Sequence, residues 1–222
     1  MITISNLSKS YKNNQIFADT NCQLRENKIS FLIGPNGAGK TTLVKCVFAL
    51  ESYSGKILFN GKSIEEVRDN CLVIWDDCPF YLNLSGLNNL YILSEDKCKK
   101  SEIFEYAKEF LGMDVLKRRV SSYSYGQKKR LALALVEILR PKYLFMDEVS
   151  NGLDYETIRF LQERIKTWSK TTTIFLTGHQ FDFYQDIIDD LFLIKDNNLH
   201  LSQTDFDTHQ RKIGEIYDNE IG

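Results

Sequence analysis

The sequence predicts an α/β domain: a mostly parallel sheet covered by helices, with an antiparallel β edge at its start and a helical insertion near its middle. Three observations predict it. Short, predominantly apolar runs at 28–33, 143–146 and 172–177 have the length and composition of strands buried on both faces. They alternate with stretches whose apolar residues recur every three or four positions, the order expected of a parallel sheet with crossover helices. The opening segment instead alternates apolar with polar residues, as an antiparallel edge does. With 222 residues, 43% of them hydrophobic, one sizeable core is affordable. A single domain over 1–222 is expected, with its core at about 2–84 and 120–202, a helical subdomain at about 85–119 and a polar tail at 203–222.

Each element has its own signal. Ile2 and Ile4 alternate with hydroxyl residues and residues 12–14 supply a turn, which makes the antiparallel edge. Residues 28–33 read as a buried strand, followed at once by a glycine-rich loop and by Leu43, Val44, Val47 and Phe48 at helical spacing. Residues 55–61 carry a hairpin pattern, and 71–75 form a short apolar strand ending in Asp76, Asp77, Cys78 and Pro79. From about 85 to 119 the pattern is helical and polar, with Leu87, Leu90 and Tyr91, then Ile103, Phe104, Ala107, Phe110 and Leu111. Residues 126–139 form a strong helix stopped by Pro141. Residues 143–146 form a strand that ends in Asp147 and Glu148. Residues 157–168 read as a helix, 172–177 as a strand, and 191–194 with 199–201 as a closing hairpin. The last residues are polar and read as frayed.

Composition narrows the function. Thirty acidic against 28 basic side chains leave a net charge of −2, which argues against a general nucleic-acid binder. The longest apolar run, residues 131–136, is far short of the roughly 20 residues a membrane-spanning helix needs. No basic segment followed by an apolar stretch marks a secretory signal at the N-terminus, so a cytoplasmic location is expected. The five cysteines contain no CxxC pair and read as reduced, mostly buried thiols.

Local chemistry is sharper. Gly34-Pro-Asn36-Gly37-Ala38-Gly39-Lys40-Thr41, followed by Thr42, matches the phosphate-binding pattern G-x4-G-K-[ST] in its required place between strand and helix. Its glycines let backbone N–H groups face phosphates, the helix offers its positive end, Lys40 brings a point charge, and the Thr41 hydroxyl suits Mg²⁺. A second constellation, Tyr143 to Glu148, buries a strand whose end presents Asp147 toward the metal and Glu148 toward an attacking water.

Three further groups, Tyr123-Ser124-Tyr125-Gly126-Gln127, Ser150 to Asp154, and Thr177-Gly178-His179, follow in an order that resembles the ATP-binding cassette (ABC) proteins over about residues 2–202. The resemblance implies a P-loop nucleotide triphosphatase of the ABC type, with ATP and Mg²⁺ as ligands. It implies that Ser124, Gly126 and Gln127 bind the γ-phosphate of ATP held by an opposite cassette, in a homodimer or heterodimer. It further implies Glu148 as general base, His179 as the γ-phosphate switch, Asp154 as the coupling aspartate, and Tyr11 as the ring stacked on adenine. A strand tyrosine packed on its own sheet is the other account of Tyr11. Lys128, Lys129 and Arg130 read as a solvated helix face.

The sequence departs from the family pattern at two places. Asp76 stands where a glutamine ordinarily ligates Mg²⁺, and its carboxylate is expected to serve as a metal ligand beside Thr41 and Asp147; Tyr125 replaces the first glycine of LSGGQ. Signatures of this YSxG type resemble those of single-domain exporter subunits. The function implied is an ATPase peripheral on the inner face of the cell membrane. It would power an exporter through separate transmembrane permease subunits, contacted near residues 76–93. Phe80, Tyr81, Leu82 and Leu84 are either those contacts or ordinary core. The alternative is a non-transport ABC ATPase serving as an assembly factor or regulatory clamp.

Overall fold

The computed structural model describes residues 1–94, 97–209 and 211–221, so residues 95–96 of the expected helical subdomain and 210 and 222 of the tail lie outside the described residues. Strands β1 (Ile2–Tyr11) and β2 (Asn14–Leu24) form an antiparallel pair. They are followed by β3 (Ile29–Ile33), α1 (Lys40–Val47) and β4 (Ser54–Phe59). Next come α2 (Ile64–Val67), β5 (Cys71–Ile74) and the insertion helices α3 (Gly86–Leu93), α4 (Ile103–Ala107) and α5 (Met113–Leu116). The second half holds α6 (Tyr125–Leu139), β6 (Tyr143–Asp147), α7 (Tyr155–Trp168), β7 (Thr173–Thr177) and α8 (Phe181–Tyr184). It closes with β8 (Asp190–Lys195), β9 (Asn198–Thr204) and α9 (Ile213–Glu220).

Two sheets result. A three-stranded antiparallel sheet runs β2-β1-β4, and a six-stranded sheet runs β5-β6-β7-β3-β8-β9, parallel throughout except for the β8–β9 hairpin. Every residue of β3, β6 and β7 is buried, as apolar runs in the middle of a covered sheet should be. Because side chains alternate across a strand, each run serves two cores. Leu32, Tyr143, Phe145 and Phe175 pack with α1 and the antiparallel sheet, whereas Phe31, Met146, Ile174 and Leu176 pack with α6 and the insertion helices. The α/β architecture with an antiparallel edge and helical insertion is as expected.

Three expectations are corrected. Residues 55–61 hold only the tip of a hairpin: β4 pairs along its length with β1, and the turn at Asn60 and Gly61 closes a single antiparallel bridge between Phe59 and Lys62. The tail is more than frayed polar chain, since α9 buries Ile213 and Ile216 and sets Tyr217 5.2 Å, centroid to centroid, from Phe181. Lys129 does not lie on a solvated face: its side chain is 0% exposed. The cysteines are free thiols, with Cys46, Cys78 and Cys98 buried. Among the described residues, no helix is long and apolar enough to cross a membrane.

Candidate active site

The β3 strand delivers the chain to Gly34 at the end of the sheet, and α1 leaves from Lys40. Between them Gly37 and Gly39 hold φ values of 81° and 110°, open to glycine and costly for other residues. At Gly39 the packing adds a second reason, because a Cβ there would stand 2.4 Å from Cγ2 of Ile16. The Lys40 ammonium folds across the loop and donates to the carbonyls of Gly34 (2.7 Å) and Pro35 (3.2 Å). Burial pushes its pKa down, against the opposing pull of Glu148 and Asp147. A cavity of about 160 Å³ opens over the loop, lined by Asn36, Gly37, Gly39, Lys40, Thr41, Thr42 and Glu148. Ala38 lies outside it, lining a separate surface cavity with Pro35 and Ile194, and a Cβ added at Gly34 would meet Ile194 and Ala38 at 3.3 and 3.5 Å.

The β6 strand brings Asp147 beneath the same loop. Its Oδ2 accepts from the Thr41 hydroxyl at 2.8 Å and its Oδ1 from the Thr177 hydroxyl at 2.5 Å, so one buried carboxylate ties α1, β6 and β7 together. Thr177 is the residue that the motif reading quoted without giving it a role. It sits opposite Asp147 in the β6–β7 register, a relation no local pattern reveals. Glu148 follows at φ 51°, an uncommon conformation for a residue with a side chain, and its amide donates to the Thr177 carbonyl and hydroxyl oxygens, both at 3.2 Å. Asn151 Nδ2 donates to Glu148 Oε2 at 2.6 Å, and His179 Nε2 lies 3.4 Å from Glu148 Oε1.

The donor set fits a polyphosphate with a magnesium ion. Positive-φ glycines and a helix start suit phosphate oxygens. No cluster of three or more His, Cys, Asp or Glu able to hold a metal occurs among the described residues. One hydroxyl and one carboxylate, Thr41 and Asp147, are what Mg²⁺ takes from protein when phosphates and water complete its shell.

Other sequence-predicted residues lie apart from this cavity. Ser124 and Gln127 are engaged with each other in a capping box at the start of α6, the Ser124 hydroxyl accepting from the Gln127 amide (3.2 Å) and Gln127 Oε1 from the Ser124 amide (3.1 Å). Gly126, in that first turn, would meet nothing within 4 Å if it carried a Cβ. Asp154 caps α7 by accepting from the Thr157 amide at 2.8 Å. Tyr11, 40% exposed at the end of β1, carries the Lys9 ammonium 4.4 Å from its ring centroid. Asp76 is not brought to Thr41 and Asp147: its carboxylate is taken by the Tyr125 hydroxyl (2.5 Å) and the Lys129 ammonium (3.0 Å). Burial works to raise its pKa, and Tyr125 and Lys129, joined by Asn151, outweigh that and lower it.

A phosphate loop between strand and helix, faced by a buried aspartate and a half-buried glutamate at the end of the strand next but one in the sheet, defines a P-loop nucleotide triphosphatase. The ABC transporter family model matches residues 17–151. Over 100% of this chain and 97% of the relative, the sequence is 32% identical to the lantibiotic transport ATP-binding protein SrtF of Streptococcus pyogenes. It is 27% identical to the glutamine transport ATP-binding protein GlnQ of Bacillus subtilis, with 90% of this chain and 88% of that protein aligned. The fold matches a solved ATP-binding subunit of an ABC transporter with a TM-score of 0.82 at 21% identity, covering 99% of this chain and 92% of that one. The chain belongs to the ABC transporter family as an ATP-binding subunit, a class that hydrolyses ATP and works with transmembrane partners.

Proposed function

We propose that this chain is a cytoplasmic subunit, peripheral on the inner face of the cell membrane, that closes on MgATP as a dimer with a second cassette and powers an exporter. The observation that carries the chemistry is Glu148 lining the same cavity as Lys40 and Thr41. The reaction is in-line attack of water on the γ-phosphorus. Lys40 supplies charge to the terminal phosphate oxygens, and Glu148, held by Asn151 and beside His179, orients the water and takes its proton. Thr41 and Asp147 would hold magnesium, whose charge when bound offsets that of the phosphates.

Dimerisation draws support from the residues left outside the cavity. Ser124, Gly126, Gln127 and Asp154 have no place in the chain's own phosphate site, and the exposed first turn of α6 presents backbone N–H groups suited to a phosphate on another copy. A groove of about 420 Å³, walled by Phe48, Leu72, Trp75, Phe80, Leu93 and Leu139, is the proposed seat for a cytoplasmic segment of the transmembrane subunit. Tyr81 and Leu82, 55% and 48% exposed, stand on the chain that leads from it. Export is favoured by the YSxG signature and by end-to-end similarity to a lantibiotic transport protein.

Glu148→Gln tests this reading: the variant is expected to bind ATP, lose at least about a hundredfold in turnover and elute as an ATP-stabilised dimer on size exclusion. Turnover like that of the native chain would remove Glu148 from its role. Accumulation assays in inverted vesicles holding the co-purified membrane partner decide direction, because an exporter loads such vesicles and an importer does not.

A further inference from the structure

The two departures from the family pattern, Asp76 and Tyr125, touch each other. The Tyr125 hydroxyl oxygen lies 2.5 Å from Asp76 Oδ1 and 2.9 Å from the Asp76 carbonyl, and its single proton goes to the carboxylate, the stronger acceptor. Lys129, one helical turn along α6, places its ammonium 3.0 Å from the same Oδ1 and 5.3 Å from the centroid of the Tyr125 ring. Lys129 also donates to the backbone carbonyl of Glu148 at 3.2 Å. The other edge of the Tyr125 ring lies against Gly152, where a Cβ would meet ring atoms at 2.7 and 2.9 Å.

These contacts form one unit with a charge logic. A lysine side chain with 0% exposure needs a counter-charge, and Asp76 is the one carboxylate within 4.0 Å of it among the described residues. A neutral glutamine at position 76 would leave that ammonium unbalanced, and a glycine at position 125 would supply neither the hydroxyl nor the ring. Each departure therefore makes sense in the presence of the other. Through Lys129 the unit holds the backbone of Glu148, and through the Tyr125 ring it holds the loop that runs from Glu148 to Asp154.

We propose that Asp76, Tyr125 and Lys129 form a latch that fastens the loop after β5 to the first turns of α6 and to the Glu148 loop, with Asp76 acting as the anchor of the latch and not as a metal ligand. All three are positioning residues: they act on hydrolysis through the placement of Glu148. This assignment rests on the ATPase reading for its kinetic consequence alone, because the latch itself can be measured without nucleotide.

The test is a double-mutant cycle on the purified full-length chain with Asp76→Asn, Tyr125→Phe and the pair, reading kcat, KM for ATP, half-saturating Mg²⁺ and the nucleotide-free melting temperature. Each single change is expected to lower kcat by about tenfold, and the pair should do little more harm than Asp76→Asn alone, as coupled neighbours do. KM and half-saturating Mg²⁺ stay within about twofold of the native values, since the loop at Gly34 to Thr42 is untouched. Adding Lys129→Met to Asp76→Asn removes the stranded ammonium and recovers the melting temperature that Asp76→Asn loses. A tenfold rise in half-saturating Mg²⁺ in Asp76→Asn with Tyr125→Phe silent makes Asp76 a metal ligand and overturns the latch. Strict additivity of the melting shifts overturns it as well. A native chain that hydrolyses no ATP counts against the ATPase reading, and the melting cycle still decides the latch.

Discussion

Thr177→Val isolates the hydroxyl that connects β7 to both acidic residues of the site. Valine matches threonine in shape and Thr177 is fully buried, so no cavity opens. What is lost is the 2.5 Å bond to Asp147 Oδ1 and one of the two acceptors for the Glu148 amide, which keeps the Thr177 carbonyl at 3.2 Å. Asp147 is 4% exposed, so the abandoned carboxylate oxygen finds no bulk water in compensation. A hydrogen bond to a charged group is worth about 2 kcal/mol in such a setting. For a chain of this size that lowers the melting temperature by about 4–8 °C. With half of its fixation gone, Asp147 holds its second oxygen on Thr41 alone, and kcat is expected to fall by about tenfold. Differential scanning fluorimetry without nucleotide and a phosphate-release assay measure the two effects. Thr177→Ser keeps the hydroxyl and gives up one buried methyl, so it should retain kcat while losing only about 1 kcal/mol of stability. A valine variant that melts within about 1 °C of the native chain would show that the Thr177–Asp147 contact carries no weight.

Gly39→Ala combines a φ of 110° with a Cβ driven toward Ile16, and should cost about 2 kcal/mol or more in a urea titration; an unchanged midpoint would mean the loop relaxes freely. Lys40→Ala is expected to abolish saturable binding of a fluorescent ATP analogue while leaving the fold intact by circular dichroism, and retained binding would take Lys40 out of the phosphate site. Burial pushes the Cys46 and Cys78 thiols up to about 11, so native protein at pH 8 should alkylate at these positions far more slowly than protein in urea, as peptide mapping would reveal. The same raised values mean that the folded chain keeps protons the unfolded chain gives up near pH ~8.5. Their contribution to stability is full below that pH and declines as pH rises toward 11, a slope that the Cys46→Ala and Cys78→Ala pair should flatten.

Much of the fold is written in local pattern. Strands β3, β6 and β7 announce themselves because a strand covered on both faces must be apolar at consecutive positions, and α7 because Ile158, Leu161, Ile165 and Trp168 recur at helical spacing, the last three of them buried. The β4 segment was harder. Its turn at Asn60 and Gly61 does close one antiparallel bridge, Phe59 to Lys62, yet the partner along the strand is β1, which comes from the chain's beginning. The tail helix α9 was masked by its polar majority, since two isoleucines and one tyrosine are enough to dock one short helix but too few to stand out.

The sequence by itself determined the strand, loop and helix that place Lys40 and Thr41, and the acidic pair that ends β6, because each is a contiguous string whose chemistry and geometry are set by near neighbours. Tertiary structure alone decided which of those groups meet. Thr177 reaches Asp147 across 30 positions, and Lys129 reaches Asp76 across 53. Lys129 belongs to a triplet of cations that spacing assigns to solvent, and only the approach of the loop after β5 encloses it and supplies its counter-charge. Burial and pairing are properties of surfaces brought together by the fold, and a string of residues carries no record of which surface will arrive.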